Sequence, residues 1–424
     1  MVVHILKAIM EAEVCSEMSS ESVQDPPADP SVDKALWVLT AFPQIVKNVL
    51  QYLPAKALIQ SGRVCKLWYQ EACRILQTRQ DMTWTMTEDD MPVKDELTEC
   101  FEDYSSIPRL AILFCESSLY EKMWDSEDKP SSTRNKRKRK KESNMIQKVQ
   151  EALPVGCSVV GVTVPGVICC STDLSVITEV EDNPAMSALF LPHMDDVKVQ
   201  PFYVSNEECI HGQFNEDGEK VLGGKGLLPD PHLKAVLLLS CGLGSPALHV
   251  VCMELLNEYK GNIIIAGAYP EEVIAPPELS LAQRRDGLVG IAISGEHVQA
   301  ASILLDHSVR TPADVQGAMK RLKAANIPQE NSVCFMFACV GRGYYHYGKG
   351  NVETEAFHKE FPNTPIVGFF GNGEVGCDRN VPKKTATPEK WNFHGGKEGD
   401  DEKYPDLFHG YTTVLCLVSF GQRK

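Results

Sequence analysis

FPQIVKNVLQYLPAKALIQSGRVCKLWYQEACRIL, residues 42–76, followed by Thr83-Trp84, is the stretch that sets the organisation of this chain. Phe42, Ile45, Val46, Val49, Leu50 and Leu53 recur at the i, i+3, i+4, i+7 spacing of one helix face, and Pro43 suits a first helical turn. Pro54 stops that helix at Leu53. Ala57 and Leu58 open a second short turn, and Val64, Trp68, Ala72 and Ile75 mark a third helix by the same period. Three helices this short bury one another incompletely. So small a bundle supplies only about 3–5 kcal/mol from its own core, and surplus apolar side chains are accounted for by docking onto another protein.

These residues resemble the F-box motif, the adaptor-docking module of cullin-RING ubiquitin ligases. Phe42-Pro43 stands where the family has Leu-Pro, and Ile45, Val49-Leu50, Leu53-Pro54, Leu58, Val64-Cys65, Trp68 and Trp84 follow in the family's order. Phe42 keeps an apolar knob in place of the leading Leu, while Gln44 replaces an acidic residue. The resemblance implies that Phe42, Pro43, Ile45, Val49, Leu50, Leu53, Pro54, Leu58, Val64, Cys65 and Trp68 bind a Skp-type adaptor, and through it a cullin scaffold and a RING subunit. Periodicity alone is equally compatible with a three-helix subdomain packed in cis.

With 424 residues and 43% hydrophobic content, the chain has room for two or three domains with a substantial core. A net charge of −15 argues against direct nucleic-acid binding, which needs a basic face to displace counterions from phosphate. Fifteen cysteines, odd in number and with no CxxC pair, read as thiols in a reducing compartment, and no metal site or cofactor motif stands out. No apolar run approaches the roughly 20 residues of a membrane span, and the N-terminal residues lack the basic region of a signal peptide, so a cytosolic origin is expected.

One basic run cuts against the acidic balance. Arg134, Lys136, Arg137, Lys138, Arg139, Lys140 and Lys141 form a dense cluster in a segment with almost nothing to bury, the composition of a nuclear address, which makes nucleus and cytoplasm the expected locations. The expected organisation is a disordered tail at 1–33, the helical block at 34–85, the start of an α/β region at 86–124, a basic exposed loop at 125–144, and the two parts of the α/β region at 145–260 and 261–424.

That α/β region alternates short β-rich runs with helices. Candidate strands are 158–164, 235–240, 262–266, 288–294, 298–305, 332–339, 365–370 and 412–420, with Gly295-Glu296 as a hairpin tip. Thr311, Pro312 and Asp314 open a helix predicted over 312–326, with Val315, Ala318, Met319, Leu322 and Ala325 on its apolar face. Three stretches echo one another, EALPVGCSVVGVTVPGV at 151–167, LLNEYKGNIIIAGAYPEEV at 255–273 and KEFPNTPIVGFFGNGEV at 359–375, and point to a duplication giving two related halves. GFFGNGEVGCD at 368–378 resembles the closing signature of the FIST domain, a two-part module of intracellular signal transduction, and LKAANIPQENSVCFMFACVGRG precedes it at 322–343. The combined expectation is a small all-helical F-box followed by a two-part α/β FIST domain with mixed sheets.

Three local motifs bear on catalysis. Gly371 to Gly376 matches GxGxxG after a strand, yet the following CDRNVPKKTATPEKW carries Pro382 and Pro388 and cannot sustain the helix a dinucleotide turn requires. Gly223-Gly224-Lys225-Gly226 lacks the Ser or Thr of a phosphate loop and reads as a plain loop. Cys339 is followed by Arg342, a cation that would favour the thiolate if the two met, although no His and acid arrangement accompanies it. Cys339, Arg342, Asn372 and Glu374 are therefore the candidates for contacting a substrate or ligand. The expected role is a non-catalytic substrate receptor of an SCF-type ligase, and the resemblance implies nuclear regulatory or chromatin-associated proteins as substrates. The alternatives are a FIST-type small-ligand sensor and, less favoured, a nucleotide-dependent enzyme.

Overall fold

The computed structural model describes residues 37, 39–88, 104–119, 149, 152–210, 220–275, 287–383 and 405–421, so the basic run at 134–141 and the tail at 1–33 lie outside the described residues. The chain divides into two compact units, residues 1–81 with 98–107 and residues 82–97 with 108–424.

The first unit is helical. α1 (Pro43–Leu50), α2 (Ala55–Ser61) and α3 (Lys66–Thr78) follow the predicted periods, with Pro43 in the first turn of α1. Val46, Leu50, Leu58, Trp68, Ala72 and Ile75 form their shared core. Trp68 is buried, so its indole N–H needs a partner, and it donates to the Leu39 carbonyl at 2.7 Å. Arg79 ties down the end of the unit by donating to the carbonyls of Gln51, Leu53 and Ser105 at 2.7, 2.7 and 2.9 Å.

The second unit is a threefold arrangement of strands. Repeat I consists of β1 (Thr83–Glu88), β2 (Pro108–Glu116), β3 (Ser158–Val164), β4 (Gly166–Cys170), β5 (Ile177–Glu181) and β6 (Ala185–Pro192). Repeat II contains β7 (Val197–Val204), the short helices α4 (Asn206–Ile210) and α5 (Val221–Gly224), β8 (Leu233–Ser240), α6 (Pro246–Tyr259), β9 (Ile264–Ala268), β10 (Glu272–Ile274) and β11 (Leu288–Gly295). Repeat III contains β12 (Gln299–Leu305), α7 (Pro312–Lys323), β13 (Ser332–Cys339), α8 (Gly343–Tyr347), α9 (Val352–Glu360), β14 (Ile366–Gly371), β15 (Glu374–Gly376), β16 (Phe408–His409) and β17 (Thr413–Ser419). Three mixed sheets result, ordered β1-β6-β2-β3-β10, β7-β11-β8-β9-β15-β16 and β12-β17-β13-β14-β4-β5.

In each sheet the second and third strands of a repeat run parallel, and the fourth strand leaves to pair antiparallel with the third strand of another repeat. Thus β4 joins β14, β10 joins β3 and β15 joins β9. The three echoed stretches end in these third and fourth strands, so the echo marks three structural repeats and not a pair of halves. Its glycine has a physical cause. Gly161, Gly267 and Gly368 face Leu113, Leu238 and Met336 in parallel register, and a Cβ would lie 2.8, 1.8 and 1.8 Å from those carbonyl oxygens.

One apolar core draws on all three sheets, including Ile112 and Phe114, Leu237 and Ile291, and Phe335 and Phe369. A second cluster seats Val315, Met319 and Leu322 of α7 and Phe357 of α9 on the third sheet, and a third seats Leu248, Val251 and Leu255 of α6 on the second. The capping box of α7 forms as its sequence implies, but the helix ends at Lys323, and Asn326 turns left-handed at φ 57°. Two further expectations are corrected. Gly295-Glu296 is a corner between sheets and not a hairpin tip, since β11 pairs with β7 and β8 whereas β12 pairs with β17. Trp84 belongs to β1 in the second unit, where its indole N–H donates to the Ser171 carbonyl at 3.0 Å.

Candidate functional site

The helical unit leaves one apolar face in solvent. Phe42 and Ile45 are 40% and 39% exposed, Pro43 is exposed beside them, and Val49, Leu53, Pro54, Val64 and Cys65 are half-buried. Leu50, Leu58 and Trp68 belong elsewhere. They are fully buried in the unit's own core, so their contribution is to hold the helices and not to offer a docking surface. One helical period reads both kinds of position alike, because on a three-helix bundle the core stripe and the docking stripe lie side by side. Tyr52, Ile59 and Tyr69 are exposed as well, each an apolar or aromatic residue placed off the core stripe.

The second candidate region lies at the ends of β13 and β14, where Cys339 and Gly371 share a register position. It brings Cys339 and Glu374 together, while the Arg342 side chain turns inward; its charge still reaches the Glu374 carboxyl, where it works against the burial that raises that group. The Arg342 guanidinium is buried and committed inward, bonding the Glu353 carboxylate at 3.0 and 2.5 Å, the Val309 carbonyl at 3.1 Å and Tyr347 Oη at 2.5 Å, with His346 Nε2 at 3.2 Å. Burial, and then the neighbouring Glu374 carboxyl, push the Cys339 thiol above its ordinary pKa. The condition for an Arg342-favoured thiolate is therefore not met, and Cys339 stands as a buried thiol. Asn372 is exposed on the turn between β14 and β15, where its backbone N–H donates to the Tyr269 carbonyl at 2.8 Å.

Glu374 is wholly buried. Its Oε2 accepts from Thr412 Oγ1 at 2.6 Å and from the Thr412 N–H at 3.2 Å, while its Oε1 has no hydrogen-bond partner. Burial pushes its pKa up to about 8, against the pull of the Thr412 bonds. The repeat supplies an internal comparison. Glu374 pairs with Ala268 one residue past Gly267, as Val273 pairs with Val162 past Gly161 and Val167 with Phe369 past Gly368. Two repeats bury valine where the third buries a carboxyl.

The GxGxxG stretch opens β15 and not a helix, so among the described residues it lacks the helix N-terminus that a phosphate-binding turn requires. Lys225 is likewise engaged, with its Nζ 3.0 Å from Glu208. Among the described residues no group of His, Cys, Asp and Glu is arranged to hold a metal, and no helix is long and apolar enough to cross a membrane.

The FIST C domain family model matches residues 290–377, from β11 through β15. F-box only protein 22 of Homo sapiens is 31% identical to this chain over 97% of its length and 98% of the human protein, and its Pongo abelii counterpart is 31% identical over 93% and 97%. The chain belongs to the F-box only protein 22 family. Membership places the chain among F-box proteins, non-catalytic subunits of ubiquitin ligases, and the FIST C match lies within the α/β unit.

Proposed function

We propose that this member of the F-box only protein 22 family is the substrate receptor of an SCF-type cullin-RING ubiquitin ligase. Phe42, Pro43, Ile45 and Val49, flanked by Leu53, Pro54, Val64 and Cys65, dock a Skp-type adaptor that leads to the cullin and RING subunits. The FIST region binds proteins destined for ubiquitination and proteasomal degradation, nuclear regulatory or chromatin-associated ones foremost, and residues 134–141 distribute the chain between nucleus and cytoplasm. The exposure of Phe42 and Ile45 on a bundle that already has its own core is the observation that carries this reading. The receptor's contribution is proximity, since holding a substrate lysine near a charged conjugating enzyme raises its effective concentration.

Co-expression with adaptor and cullin, then pull-down of wild type and a Phe42→Ala, Ile45→Ala double variant, tests the proposal. Adaptor and cullin are expected to be lost from the variant; equal recovery by both proteins would remove it. A ligand-sensing role for the FIST region is favoured by one observation, the unpartnered Oε1 of Glu374 beside Cys339. Calorimetric titration with free amino acids checks it, and an absence of heat at millimolar concentration counts against it.

A further inference from the structure

Among the described residues, the third repeat presents an aromatic surface that its sister repeats lack. Val340, Tyr344, Tyr345 and Tyr411 are 36%, 59%, 73% and 70% exposed at one end of the third sheet, where β13 ends and β17 begins. The turn after β2 carries Ser117-Ser118-Leu119 and the turn after β8 carries Gly242-Leu243-Gly244, so the tyrosines are not a requirement of the repeat. Beside them, at the end of β5, stand Glu181 and Asp182.

These groups are held in place. Tyr345 Oη donates to Asp182 Oδ2 at 3.2 Å, and its ring meets that of Tyr344 edge-on with centroids 6.4 Å apart. Glu181 Oε1 accepts the Tyr344 N–H at 2.9 Å. Gly343 adopts φ +62°, and a Cβ there would lie 2.4 Å from the same oxygen, so the turn is fitted against the carboxylate. Neither Glu181 nor Asp182 forms an ion pair with a lysine or arginine among the described residues, and the nearby Arg342 is turned inward to Glu353. Burial, with the neighbouring Asp182 carboxylate, raises the Glu181 pKa against the pull of the Tyr344 N–H bond.

We propose that this acidic tyrosine face seats an arginine-bearing basic segment of the protein to be ubiquitinated, a proposal that rests on the substrate-receptor reading. The chemistry selects the occupant. Tyrosine faces and carboxylates both attract cations, and a guanidinium can stack on a ring while bonding a carboxylate through its planar fork, which an ammonium cannot. The preset rings cost little entropy on binding, and the net charge of −15 steers a basic segment toward the protein. An acidic nucleic acid is repelled by the same groups.

The test uses the full chain bound to its adaptor and a fluorescent peptide of alternating glycine and arginine, against the same peptide with neutral citrulline, at about 150 mM salt. The arginine peptide is expected to bind about tenfold or more tightly than the citrulline peptide, and Asp182→Asn and Tyr345→Ala are each expected to weaken it by about fivefold or more. Glu296→Gln removes an exposed carboxylate at the opposite end of the same sheet and is expected to leave binding unchanged. Equal binding of the two peptides, indifference to Asp182→Asn and Tyr345→Ala, or an equal loss in Glu296→Gln overturns the proposal. Adaptor recovery in the same samples separates the two levels: with adaptor retained, such a result removes this surface alone, whereas failure of the wild type to bind adaptor removes the receptor reading itself.

Discussion

Replacing Gly368 by alanine probes the contact on which the threefold arrangement depends. The added Cβ would lie 1.8 Å from the Met336 carbonyl oxygen, 2.7 Å from its carbon and 3.0 Å from its nitrogen, all backbone atoms of the adjacent parallel strand. Relief to ordinary contact at about 3.5 Å requires β14 to move away from β13 by more than an ångström. That movement would strain a ladder running from Cys334 and Ile366 to Cys339 and Gly371, every residue of which is buried. Overpacking absorbed by side chains costs about 1–3 kcal/mol. A backbone-to-backbone clash has no rotamer to absorb it, so the predicted loss is about 4 kcal/mol or more. Gly267→Ala should match it, and Gly161→Ala, whose clash begins at 2.8 Å, should cost less. Gly317, exposed within α7 with nothing within 4 Å of its would-be Cβ, supplies the opposite sign: Gly317→Ala should stabilise by about 0.5–1 kcal/mol through helix propensity. Urea unfolding followed by circular dichroism measures all four. A Gly368→Ala protein within about 1 kcal/mol of wild type would refute the close-approach argument.

The buried carboxyls set a pH dependence. Glu374 and Glu179 are raised to about 8 and about 7, each mainly by burial, so the native state holds these protons more tightly than the unfolded chain does. Their contribution is fully present below the unfolded value near 4.5 and is lost as pH rises through 7 to 8. Thermal midpoints measured from pH 5 to pH 8 should therefore fall more steeply for wild type than for Glu374→Val, which installs the residue used by the other repeats; parallel slopes would contradict the assignment. Arg342→Ala strands the buried Glu353 carboxylate and should cost about 3–5 kcal/mol in the same urea assay, with a loss below about 1 kcal/mol counting against the buried pair.

Local physics was legible in the sequence. The three short helices, the capping box at Thr311 and Asp314, and runs such as Ser332 to Cys339 each declare themselves through periodicity, caps or unbroken apolar character. Partner choice was not legible, because β4, β10 and β15 each pair across repeats far apart in sequence, and nothing in a three-residue strand such as Glu374 to Gly376 names its neighbour. Arg342 follows Cys339 by three residues, yet the turn sends its side chain to Glu353, eleven residues on. Leu50, Leu58 and Trp68 illustrate the same limit in the helical unit, since their spacing fits a core and a docking face equally well. The glycine echo carries more than a pair of halves: the sequence holds three copies, and in the third a carboxyl, Glu374, stands in the position that Val167 and Val273 take in the others.

Titration of the purified chain with a purified Skp-type adaptor, comparing wild type with Ile45→Asp, tests the central claim most directly. Ile45 is 39% exposed and outside the helical core, so the substitution should leave the unit folded, as its thermal midpoint will report. The adaptor is predicted to bind the wild type and to lose about a hundredfold or more in affinity for Ile45→Asp, the cost of burying a charge in an apolar interface. Unchanged affinity, with the variant folded, would contradict the assignment of this face as the attachment point.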